Sequence, residues 1–379
     1  MSRLNPSRSV KTCRRLPLAS GSRTRCAGLP LPLAAAILLL LGLSVLASIN
    51  TVPAAIKFST NDQAKPDRTT TDMLLYQSLA AQVQAGRNYY EAATETQRES
   101  GYPVRPFLTV RLPTLTSLIA TLSPSGAHLL MLLLVAMTVI CWSVHLARTI
   151  CSSLLLISVG IILIILGVMP VTFNPAMWFT ESWAGLLIAL SLALHHPQRC
   201  WPSVVAALAA VSIRELAFPY LLGMGLMAAL AGQGRQAYGW GIAAGLFVVA
   251  FLGHAQAVDA LTHVGDRVSE GWNGHHGWGL FIFACQQLTA LTVLPITLIA
   301  VLLPLSFFGL AVWHAPVALP AFVTLCGYAL LIVIFARSVN IYWIFLVSPI
   351  LILGLLFVPA ALTDLIRSLR RPSVGACKP

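Results

Sequence analysis

"LPLPLAAAILLLLGLSVLAS", residues 29–48, holds no charge and is long enough as a helix, at 1.5 Å per residue, to cross about 30 Å of hydrocarbon. Comparable apolar runs recur down the chain. Of 379 residues, 57 % are hydrophobic and only 9 % charged, where a soluble domain carries about 25 % charged residues. These runs read as membrane spans. In lipid each span must satisfy its own backbone amides, so the sequence predicts an all-α, polytopic membrane protein.

About ten membrane helices are expected, near 30–49, 127–147, 150–169, 178–196, 201–213, 216–232, 237–258, 282–311, 317–336 and 341–361. The fifth and sixth are too short to cross comfortably and read as a helical pair joined by a turn at Arg214, Glu215 and Pro219. The eighth is long, with Pro295 and Pro304 as expected kinks. Residues 1–29 and 366–379 form basic tails flanking a membrane domain at 30–365, and segment 50–125 is one large extracytoplasmic loop.

The net charge is +12, and its placement carries the orientation. Arg3, Arg8, Lys11, Arg14, Arg15, Arg23 and Arg25 precede the first apolar run, and Arg367, Arg370, Arg371 and Lys378 follow the last. Basic flanks mark the cytoplasmic side, so both termini are expected there. Every acid except Asp364 then falls on the outer side. Beside membrane spans these charges are explained by the positive-inside bias, and a nucleic-acid partner is not expected. The first run reads as an uncleaved signal anchor. The eight cysteines form neither a disulfide framework nor a zinc spacing, and no metal or other cofactor is expected.

Within the outer loop, DMLLYQSLAAQVQAG (72–86) has the spacing of an amphipathic helix stopped by Gly86. Asp72 at its start reads either as a general base or as a helix N-cap, since both tasks need a short carboxylate. Arg214 and Glu215 lie among apolar residues, where ionisable groups are costly and face a partner or an aqueous cavity. A guanidinium suits an anionic headgroup or phosphate; an internal ion pair is the plainer reading. Because adjacent helical residues diverge by about 100°, the two need not pair with each other.

Arg337, Asn340 and Tyr342 follow the ninth span, with Arg337 on the outer side against the usual bias. Glu181 sits at the outer end of the fourth span, where capping and catalysis compete. Arg105 and Arg111 enter from the loop, and solvated charge is the default for both. His275 and His276 are adjacent, a poor geometry for two ligands on one metal.

Taken in order, Asp72-x-x-x-Tyr76, Gly86-x-x-Tyr89-Tyr90, Arg111-x-Pro113, T-E-x-W (180–183), R-E-L-A-F-P-Y (214–220), GW…GW (271–278) and R-x-x-N-x-YW…P…GL…P-x-AL (337–362) form a set. The set resembles the bacterial GT-C superfamily of integral-membrane glycosyltransferases, in particular a polyprenyl-phosphate-sugar-dependent branch in the inner membrane. The resemblance implies hexosyl or pentosyl transfer from a polyprenyl-phosphate-linked sugar to a glycan, lipid or protein acceptor at the periplasmic face. It implies Asp72 as base and Arg214, Arg337 and Arg111 as ligands of the donor phosphate. Glu215, Glu181, Tyr76, Asn340 and Tyr342 become supporting residues, and membrane lipids the surrounding partners. Many members carry a closely spaced acidic pair, whereas Asp72 has no acidic neighbour. The competing reading is a transporter or flippase for an anionic lipid or solute, with a non-catalytic envelope assembly protein as a third.

Overall fold

A computed structural model of the chain describes residues 24–63, 68–150, 153–196 and 198–370. The basic residues from Arg3 to Arg23, Asp67, and the tail from Arg371 onward lie outside the described residues, as does the position of any cleavage of the N-terminus before residue 24. The described residues form helices and two isolated bridges, with no strand among them.

Six helical stretches are long and apolar enough to cross a membrane: Leu31–Thr60, Phe107–Thr149, Leu154–Thr172, Gly234–Asp259, Ala318–Phe335 and Ser348–Arg370. Large apolar side chains stand exposed along them, such as Leu39, Leu40, Leu154, Leu155 and Val249. Exposed leucines in bands of this kind suit a hydrocarbon surround. The expected ten spans are corrected to these six, together with shorter apolar helices at Thr180–Ala193, Trp201–Ile213, Glu215–Leu230 and Ile296–Val312. The reason is burial and length. The helix at 180–193 rises only about 21 Å, and nearly all of it is buried by protein.

The first helix, α1 (Leu31–Asn50), passes through Thr51 into α2 (Val52–Gln63). Two helices follow, α3 (Arg68–Gln84) and α4 (Tyr89–Glu99). Gly86, at φ 91°, ends the α3 region in the left-handed conformation that glycine adopts without penalty. Asn88 caps α4, its side chain accepting from the Tyr90 and Glu91 amides. The expected loop at 50–125 is therefore mostly helix, and the crossing stretches on either side take in its first and last parts. The following helix, α5 (Pro113–Thr149), is bent at Ser123, φ 64°, just before Pro124. Beyond it lie α6 (Leu154–Val168), α7 (Thr180–Ala193), α8 (Trp201–Ile213), α9 (Phe218–Leu230) and α10 (Gly234–Asp259).

The expected helix at 282–311 is two helices. α11 (Gly277–Leu288) ends at an extended Thr289, a short 3₁₀ turn follows, and Pro295 caps α12 (Ile296–Val312). Pro295 has no amide to continue the first helix and disfavours helical backbone just before it; Pro304 sits within α12. After α13 (Ala318–Phe335) the expected α-helix at 341–361 is instead a chain of 3₁₀ segments, Ser338–Leu346, Ser348–Ile350 and Leu353–Phe357, leading into α14 (Val358–Arg370). This tighter path runs through the protein core. Gly185 of α7 meets it so closely that a Cβ there would lie 2.0 Å from the Phe345 carbonyl oxygen.

Candidate functional site

The turn between α8 and α9 carries the charges that stood out in the sequence. Arg214 leaves α8 with φ −141° and ψ 114°, and Glu215 opens a 3₁₀ turn before Pro219 in α9. This break from helical geometry lets adjacent side chains meet. The Arg214 Nη1 pairs with the Glu215 carboxylate, and its Nε lies 2.7 Å from Oε1 of Glu181, near the start of α7. The second approach is off the hydrogen-bond axis and acts as an ion contact. Thr180 Oγ1 donates to the other Glu181 oxygen at 3.1 Å. Arg214 and Glu181 are each 1 % exposed, so this is a buried charge triad rather than a guanidinium open to solvent.

Arg111 occupies the entrance to α5, just before Pro113. Its Nε donates to the Tyr76 hydroxyl and its Nη2 to the Tyr342 hydroxyl, each at 3.3 Å. Asn340 Nδ2 also donates to Tyr342, at 3.1 Å, and Tyr89 donates to the Arg111 carbonyl at 2.6 Å. The direct side-chain partners of this cation among the described residues are thus neutral phenols. The Glu181 and Glu215 carboxylates act on it only through space. One charge network therefore runs from α3 and the entrance of α5 to the α8–α9 turn.

Asp72 lies within α3, which begins at Arg68, so the N-cap reading is corrected: the helix starts a turn earlier. Its Oδ1 accepts from the Tyr102 hydroxyl at 2.5 Å. Tyr76, one turn along α3, feels both Asp72 and Arg111; burial pushes its phenol upward, Arg111 opposes this, and Asp72 adds to it. The same Asp72 charge reaches Tyr342. Asp72, Tyr76, Arg111, Asn340, Tyr342, Glu181, Arg214 and Glu215 consequently form one neighbourhood, at the end of the bundle covered by α3 and α4.

Arg337 meets this neighbourhood through its backbone, its amide donating to Asn340 Oδ1 at 3.4 Å. Arg337 precedes the 3₁₀ path and pairs with Glu270; their side chains are 31 % and 78 % exposed. Arg105 has its backbone in a bridge with Val268. Sequence reasoning missed Tyr102, whose only signal was its place just after the end of α4. It also missed the tie between Arg98 and Asp266, which fastens the 261–276 loop to α4. The Arg98 guanidinium, helped by the His263 amide, pushes the Asp266 carboxyl down to about 2.

A cavity of about 10 Å³, room for one water, lies between Tyr76, Leu79, Tyr89, Gln97 and Arg111. Among the described residues no group of three or more His, Cys, Asp or Glu side chains could hold a metal. Chemically, the neighbourhood offers a carboxylate that can accept a proton, a cation held by neutral hydroxyls that can receive an anion, and a floor in which one guanidinium sits between two carboxylates. No family model matches the chain, and no curated protein or solved structure matches it either.

Proposed function

We propose that this chain is a membrane glycosyltransferase taking a sugar from a polyprenyl-phosphate donor. In this reading it lies in a bacterial inner membrane with both termini cytoplasmic, and α3 and α4 cover a periplasmic site. The observation that carries the reading is Arg111, a cation bonded to two phenols, one of which, Tyr76, also feels the Asp72 charge. A lipid phosphate can displace neutral hydroxyls from a guanidinium at far lower cost than it can displace a carboxylate.

Asp72 takes the proton of the acceptor hydroxyl, and the acceptor oxygen bonds to the anomeric carbon. The bond from that carbon to the phosphate oxygen breaks, and the electron pair leaves with the polyprenyl phosphate. Arg111 stabilises the charge that develops there, where a fixed donor contributes most. Arg214 is held between two glutamates and serves to position the floor of the site, since its charge is already compensated. Arg337 reaches the donor only by exchanging Glu270 for it. The 10 Å³ cavity admits no sugar ring, so donor binding requires α3 and α4 to part from Arg111.

The runner-up reading, a transporter or flippase for an anionic lipid or solute, is favoured by the buried Glu181–Arg214–Glu215 triad. Asp72→Asn separates the two. A transferase loses turnover and keeps donor binding, measured with a polyprenyl-phosphate sugar in detergent. Unaltered transfer in Asp72→Asn, or donor binding indifferent to Arg111→Ala, refutes the proposed site.

A further inference from the structure

The far end of α8 and α9 carries a second cluster of basic residues, remote from the network above. α8 is 13 residues long, which sets its two ends about 20 Å apart. Arg214 marks one end, and a cavity of about 540 Å³ marks the other. Its wall is formed by the residues leading into α8 and α10, including Arg199, Trp201, Gln233, Arg235 and Gln236. Both arginines are exposed, and neither has a salt bridge or side-chain hydrogen bond among the described residues. Among the described residues no acid lines the cavity.

The surroundings reinforce that charge. α8 starts at Trp201 and α10 at Gly234, and no side chain caps either start. The positive ends of the two helix dipoles lie beside the two guanidiniums, although Pro202 brings no amide and the Gln236 amide donates to the Gln233 carbonyl. Trp201 is half exposed, the placement of an indole at a membrane–water interface. Next to the cavity, α10 presents Tyr238 and Ile242 to the outside, so an acyl chain would find an apolar surface while its headgroup enters.

We propose that this cavity binds the phosphate of an anionic phospholipid headgroup, with Arg199 and Arg235 as its ligands. Two guanidiniums, one from the segment before α8 and one from the first turn of α10, line one concavity between membrane helices and match what an anionic headgroup needs. The proposal is independent of glycosyl transfer, because it concerns the opposite end of α8.

The test uses the purified full chain in neutral detergent, with added phosphatidylglycerol, phosphatidylcholine or inorganic phosphate. Binding is read by native mass spectrometry and by the shift of the melting temperature. Phosphatidylglycerol is expected to bind more tightly than phosphatidylcholine. At about 5-fold per arginine, Arg199→Gln with Arg235→Gln should cost about 25-fold in phosphatidylglycerol affinity. The Arg199→Lys, Arg235→Lys protein keeps both charges and should retain most of the preference. Melting in lipid-free detergent confirms that each variant is folded. A phosphatidylglycerol preference unchanged in the glutamine double variant overturns the proposal. Inorganic phosphate that protects the wild type as well as the lipid does overturns the assignment to a lipid.

Discussion

Arg214 Nε lies 2.7 Å from Glu181 Oε1, and this contact joins the start of α7 to the turn between α8 and α9. Glu215 completes the triad, and Arg214 and Glu181 are removed from solvent. Deleting the cation would leave two carboxylates buried without compensation. Breaking a buried pair in this way costs about 3–5 kcal/mol. Arg214→Ala is therefore expected to lower stability by about that amount. Glu215→Gln should cost less, because Glu181 still compensates the guanidinium. Chemical or thermal unfolding in detergent checks both; an Arg214→Ala protein as stable as wild type would show that the triad contributes nothing.

The membrane class of this protein was legible from composition, and the bounds of α8 from the apolar run at 201–213 alone. Hydropathy failed where backbone geometry changed without a change in polarity. Residues 341–361 are as apolar as a spanning α-helix, yet the chain runs through 3₁₀ segments as far as Phe357 before α14 begins, and glycines of α7 and α12 pack closely on that path. The break at 289–295 was foreshadowed by Pro295, read as a kink rather than an end. Asp72 and Arg111 were chosen from their local sequence. That Arg111 reaches Tyr76 and Tyr342, 35 and 231 positions away, follows only from the tertiary fold. An internal ion pair was one of two readings of Arg214; that its partners are both Glu215 and Glu181 follows from the break in helical geometry after α8 and the approach of α7.

Tyr102 and Asp72 give a graded test of the proposed base. Asp72→Asn should reduce sugar transfer by about 10²–10⁴-fold, the usual contribution of a general base. Tyr102→Phe removes one hydrogen bond to a carboxylate, worth about 1.5–3 kcal/mol, and should cost at least about 10-fold. Single-turnover transfer from a polyprenyl-phosphate sugar measures both. Equal losses in the two variants would mean that Tyr102 participates directly rather than positioning Asp72.

Gly185 sits where α7 touches the 3₁₀ path, and the atom opposing it is a backbone oxygen. A methyl group at this position cannot be accommodated by turning a side chain. Gly185→Ala is expected to destabilise the protein by about 1–3 kcal/mol or more, as overpacking does. The displacement should also reach Tyr342, which lies three residues before Phe345 and bonds to Arg111. Gly223, with open space around its Cβ position, supplies the control: Gly223→Ala should be neutral or slightly stabilising. Melting temperatures of the two alanine variants decide the matter.

The Arg98–Asp266 tie predicts an acid-dependent release of the 261–276 loop. The folded-state value of Asp266, about 2, lies below its ordinary 3.8. A depressed carboxyl contributes stability in full above the ordinary value and loses it as pH falls towards the folded one. The loop should stay fastened to α4 at pH 5 and loosen progressively between about pH 4 and pH 2. Hydrogen exchange at the His263 and Asp266 amides, corrected for the intrinsic pH dependence of exchange, should report the change. Asp266→Asn should exchange faster at pH 5 and lose the acid transition. Persistence of that transition in Asp266→Asn would show that the Arg98–Asp266 pair is not its source.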